Sequence, residues 1–149
     1  MTSVSPRRNR SSSAQVRVIA YWTTTAVLAT ECFVGGVMGM VQLQPFKGTV
    51  THLGYPSYFM TMLGVCYVSA GVALLAPRLP RLKEWAYAGL IFIYTGATAS
   101  HIWVGDDAKT LVGPLIFVSL TAASWALRPQ ARRDPTPNTL TMWRKSDTM

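Results

Sequence analysis

Two ionisable side chains, Glu31 and His101, stand inside otherwise apolar runs of this sequence. A carboxyl and an imidazole are common partners for moving a proton within a site. Ionisable groups inside apolar segments are costly and mark candidate functional positions. Glu31 follows the basic Arg17 by fourteen residues, and His101 follows Lys83 by eighteen. At a helical rise of ~1.5 Å per residue these are about 21 and 27 Å, within roughly a turn of each other in depth. A Glu31–His101 pair between two helices is therefore geometrically open, with the two as candidate acid and base. Tyr94 lies seven residues before His101 on the same helix face and is expected to line the same cavity. His52, Asp106 and Asp107 fall in connections and, with His101, are placed to crown a pocket. The competing account is structural: Glu31, protonated or hydrogen-bonded, locks helices together, and His101 supplies polarity near an interface.

Four apolar stretches must position these groups, at about residues 18–41, 57–76, 85–104 and 110–127. About twenty apolar residues span the ~30 Å hydrocarbon core of a bilayer as a helix. Helices satisfy their own backbone in lipid. A β-barrel needs alternating polarity, and these runs do not alternate. The expected fold is an all-α membrane protein, a four-transmembrane-helix bundle over residues 17–128. Short tails, 1–16 and 129–149, are too polar to fold alone.

The basic residues set an expected orientation. Arg7, Arg8, Arg10 and Arg17 precede the first stretch. Arg78, Arg81 and Lys83 separate the second from the third, and Arg128, Arg132, Arg133, Arg144 and Lys145 follow the fourth. The other two connections carry only Lys47 and Lys109. Lys and Arg gather on the cytoplasmic side, so both termini are expected in the cytoplasm, in a cytoplasmic membrane. The net charge of +8 then reads as anchoring to anionic headgroups. It is not read as a nucleic-acid surface, since no aromatic-interleaved basic patch accompanies it. The basic start followed by an apolar run resembles a signal peptide. The run is long for one and no small-x-small cleavage site follows, so it reads as a retained first helix.

Small residues allow close helix approach in lipid. Candidates are Gly35, Gly36 and Gly39, then Gly64 with Gly71, Gly89 with Gly96, and Gly96 with Ser100. Pro77 and Pro80 make the 76–81 connection a stiff turn, so the second and third stretches are antiparallel neighbours. Two His and two Asp near the pocket would suit a metal, but no paired ligand spacing supports one. Cys32 and Cys66 sit at similar depth without a C-x-x-C motif, and read as small apolar residues. Haem would need facing histidines, and only His101 lies in a stretch.

The segments His52-Leu53-Gly54-Tyr55-Pro56-Ser57-Tyr58-Phe59 and 75–89, together with the helical layout, resemble the DoxX-like family of small bacterial membrane proteins. The resemblance covers about residues 18–129. It implies a four-helix membrane bundle and an association with quinone or thiol redox chemistry, with quinone as the possible cofactor. Many members carry a lysine in the second span after Leu-Gly-Val. Here that place falls at Tyr67, after Leu63-Gly64-Val65-Cys66, which adds Tyr67 to the pocket candidates His52, Tyr94 and Asp106.

Three functions stay open on the sequence. The favoured one is an accessory or small-lipophile-binding subunit, with the lipid bilayer and a membrane protein or second copy as partners. The second is an acid/base enzyme, of isomerase or cyclase type, using Glu31 and His101 on a lipophilic molecule. The third is a small oligomeric transporter, for which Gly113-Pro114 is the one candidate helix break.

Overall fold

The computed structural model describes residues 8–129. The outermost basic residues, Arg7, Arg132, Arg133, Arg144 and Lys145, and the expected tails beyond these limits lie outside the described residues. The described residues are all helical in their regular structure: α1 (Arg8–Met40), α2 (Phe46–His52), α3 (Ser57–Leu75), α4 (Pro80–Trp103) and α5 (Ala108–Leu127). Helix α1 begins at Arg8, well before the apolar stretch, so residues 8–16 are helical. The short α2 lies in the connection after α1 and carries His52 in its last turn.

Among the described residues, three helical stretches are long and apolar enough to cross a membrane: Ser12–Met40, Ser57–Leu75 and Ala108–Leu127. Helix α4, the expected third span, is 24 residues long but is not among them. Its first turns carry Arg81, Lys83 and Glu84, and its second half carries Thr95, Thr98, Ser100 and His101, which dilute its apolarity.

Helix α1 packs between α3 and α5, and α4 packs against the other sides of α3 and α5. Backbone proximity explains the α1–α3 seam. A Cβ added to Gly64 would lie 2.6 Å from the Gly36 carbonyl oxygen and 2.8 Å from the Met40 nitrogen. One added to Gly39 would lie 3.1 Å from the Met60 carbonyl oxygen. Gly71 sits against Cys32 and Phe33. The other expected small-residue contacts do not form. Gly35 faces only the Glu31 side chain of its own helix, and a Cβ on Gly89 or Gly96 would meet nothing within 4 Å.

At the end of the molecule that carries the 76–79 turn, the core is polar. Thr25 and Ser124 share a hydrogen bond of 2.8 Å, and Tyr87 joins Ser124 at 2.9 Å. Lys83, expected among the basic residues that anchor to headgroups, is buried. Its ammonium donates to the carbonyls of Ala73, at 3.2 Å, and Leu74. Those carbonyls belong to the last turn of α3, where helix carbonyls lack internal partners and the helix dipole favours a cation. Arg128 is likewise buried. It pairs with Glu84 and lies over the Tyr87 ring, while the Trp125 indole donates to the same Glu84 at 2.8 Å.

Candidate functional site

Tyr87, Tyr94 and His101 recur every seven residues along α4, and all three are buried. This inward face meets α1 at Glu31. The Tyr94 hydroxyl donates to Glu31 Oε2, so the half-buried Glu31 is bonded to Tyr94 and not to His101. Tyr67 of α3 is buried beside them, its ring centroid 6.0 Å from that of Tyr94 at 51°. Phe117 of α5 stacks on Tyr94, at 5.3 Å and 22°. The carboxyl thus stands against a box of three aromatic rings supplied by three helices.

Above this box opens a cavity of about 490 Å³. Glu31, Tyr67 and Tyr94 line it, and His101 lines it toward the α2 end. Helix α2 covers that end with Phe46, Thr49 and Val50, and α5 contributes Thr110, Gly113, Pro114 and Phe117. The volume falls in the range of small-molecule sites, which are mostly apolar with a few placed polar groups.

His52 and Asp106 do not line the cavity; they close its rim. The Asp106 carboxylate accepts from His101 Nδ1 at 2.6 Å and from His52 Nε2 at 2.7 Å. The local chain explains this placement. Gly105 has φ +78°, a conformation glycine adopts at no steric cost. It ends α4 so that the Asp106 amide bonds back to the His101 carbonyl at 3.0 Å. The hydrogen bonds from His101 and then His52 hold the Asp106 carboxyl below its usual range. Asp107, the fourth member of the expected crown, instead caps α5 by accepting from the Lys109 amide. Among the described residues, no group of three or more His, Cys, Asp or Glu is arranged to hold a metal ion. The two cysteines are free thiols, Cys32 buried and Cys66 exposed.

Several members of the site were not singled out from the sequence. Phe46, Val50 and Phe117 carry no polar signal, and Thr49 lies in a stretch that reads as connection. The Tyr55 hydroxyl shares a hydrogen bond of 2.8 Å with Ser100, tying the start of α3 to α4. Its place before Pro56 reads equally well as an aromatic anchor.

Chemically, the phenol–carboxyl pair can hydrogen-bond a carbonyl or hydroxyl, and either group can carry a proton. The aromatic walls suit a flat apolar body. These features define an all-helical membrane protein with an acidic group at the base of an apolar cavity. A family model for the DoxX-like family matches residues 23–124, and the chain belongs to that family. No curated protein and no solved structure matches it.

Proposed function

We propose that this protein binds a small lipophilic molecule in the cavity, with the Glu31–Tyr94 pair holding its polar end. The carrying observation is the hydrogen-bonded carboxyl–phenol pair at the base of a cavity whose walls are apolar and aromatic. A structural clamp alone would have no need of adjoining space. In this reading α4 is a fourth span, because its outer face presents Trp85, Phe92 and Trp103, each more than three-quarters exposed. Both termini then face the cytoplasm, as the basic residues at that end favour, and α2 with the His52–Asp106–His101 rim faces outward.

The binding role suits an accessory subunit of a larger membrane complex. A quinone fits the residues present: aromatic walls for a ring, and a phenol–carboxyl pair for a ring oxygen. A quinone would supply two-electron redox chemistry; Tyr67, Tyr94 and Phe117 would hold its ring and Glu31 would accept or return a proton.

A second reading rests on His101 lining the same cavity as Glu31. Two proton carriers facing one apolar space is the arrangement an acid/base enzyme needs. Replacing Glu31 by Gln separates the two. Gln keeps an acceptor for Tyr94 and so preserves the packing, but cannot exchange a proton. Liquid chromatography with tandem mass spectrometry of lipophiles co-purified in mild detergent, which separates isomers of equal mass, is the readout. The binding reading expects the same bound molecule at reduced occupancy. The enzyme reading expects a trapped molecule that differs from the wild-type one by a proton-transfer isomerisation. An empty cavity in both proteins would overturn both.

A further inference from the structure

Helices α3 and α4 bury small residues near the turn that joins them and leave small residues exposed toward the other end. Near that turn, Ala73 and Ala86 are both buried in one core cluster. Seven residues before Ala73, on the same face of α3, Cys66 is exposed. On α4, Gly96 is exposed and yet lines the cavity, and a Cβ there would meet nothing within 4 Å. The cavity therefore reaches the molecular surface through this cleft. Its rims are Phe59 and Leu63 on α3, and Ile93, Gly96, Ala97 and Ser100 on α4. The Tyr55–Ser100 hydrogen bond closes the cleft above, toward α2.

We infer that the α3–α4 cleft is a lateral doorway through which a lipid-dissolved molecule enters the cavity from the α2-side half of the bilayer. The inference rests on the cavity being a lipophile site and adds the route and the class of ligand. That class is a neutral amphiphile: an apolar body that dissolves among acyl chains, and one hydrogen-bonding head that reaches Glu31 and Tyr94. Three features favour this route. The rims are apolar apart from Ser100. The exposed Gly96 leaves the α4 rim without a side chain, and a Cβ there would meet nothing within 4 Å. The α2 end, by contrast, is covered by α2 and laced by Asp106 to two histidines. Gly113 of α5 is the other exposed glycine on the cavity wall. On the facing helix α1, however, only Glu31 lines the cavity there, so that side has no second rim.

The test needs no knowledge of the natural ligand. The full chain in phosphatidylcholine vesicles is photolabelled with 3-(trifluoromethyl)-3-(3-iodophenyl)diazirine, a small apolar reagent that partitions into lipid, and the labelled residues are mapped by mass spectrometry. Labels are expected on Trp85 and Phe92, which face outward, and on Leu63, Tyr67 and Tyr94 inside the cavity. Gly96→Phe, placed in open space, is expected to reduce the cavity labels at least tenfold and leave those at Trp85 and Phe92 unchanged. Leu63→Trp plugs the cleft from the opposite rim and is expected to do the same to the labels at Tyr67 and Tyr94; Gly96→Ala is expected to label as wild type. Cavity labels that survive both plugs, or that vanish with Gly113→Phe instead, overturn the doorway while leaving the binding site in place. A wild-type cavity that takes no label also overturns it. Conversely, labelling that obeys the plugs in a protein that retains no lipophile on purification upholds the doorway and removes the binding function.

Discussion

Tyr94 on α4 donates its hydroxyl hydrogen to the Glu31 carboxyl on α1, across 63 residues of sequence. The bond does two things at once. It fixes two helices at the depth of the cavity floor, and it leaves the carboxyl facing the cavity with its position set. A polar pair in an apolar interior is worth keeping only if satisfied, since an unmade bond there costs the full desolvation of the group. Tyr94→Phe leaves the Glu31 oxygen without that donor. It should lower stability by about 1–3 kcal/mol, read as a lower thermal midpoint in detergent, whereas Glu31→Gln should cost much less.

The α1–α3 seam makes a contrast between two glycines. A side chain at Gly64 collides with backbone, not with a flexible tip. Gly64→Ala is expected to destabilise by about 1–3 kcal/mol, the usual cost of overpacking, while Gly96→Ala should be neutral. Thermal unfolding of both variants checks this. Equal sensitivity at the two positions would mean that the seam is not where the backbones approach.

Lys83 is the buried cation of the turn. Hydrogen bonds from a charged donor are worth about 1.5–3 kcal/mol, so Lys83→Met should lower stability by that order. Arg81→Met, an exposed change two residues away, should stay within about 0.5 kcal/mol. The same unfolding measurement reads both.

The rim is predicted to respond to acid. The hydrogen bonds from His101 and His52 depress the Asp106 pKa in the folded protein. A depressed carboxyl stabilises the fold fully above its unfolded pKa of about 3.9. That contribution is lost as pH falls through the lower folded value. Hydrogen exchange at α2 amides is the readout. Protection should hold across neutral and mildly acidic pH and fall only below the ordinary carboxylate range. Asp106→Asn should expose α2 at every pH, with exchange severalfold faster and its acid limb flattened.

Much of the helical layout was legible because a bilayer dictates both length and apolarity. The apolar stretches coincide with α1, α3, α4 and α5 to within a few residues at most ends. The start of α1 was not, since Ser and Arg between residues 8 and 16 give no apolar period. Helix α2 was missed because seven residues between Pro45 and Gly54 look like loop. Glu31, Tyr94 and His101 were readable as candidates from their cost in an apolar run and from heptad spacing on α4. Depth and spacing offered His101 as the partner of Glu31 and Tyr94 only as a lining residue. The structure places Tyr94 at its depth, while Gly105 turns Asp106 back to take His101 instead. Lys83 and Arg128 were read as surface charge because sequence shows a cation's position but not the carbonyls or carboxylate that draw it inward.

The account stands on the cavity being a ligand site. Native mass spectrometry of the protein released from mild detergent tests this directly, comparing wild type with Ala97→Trp, which fills the cavity from its wall. The account predicts one small lipophile bound per wild-type chain and none in the filled variant, with both proteins equally folded. A wild-type chain that flies empty, or a variant that keeps the same molecule, would contradict it.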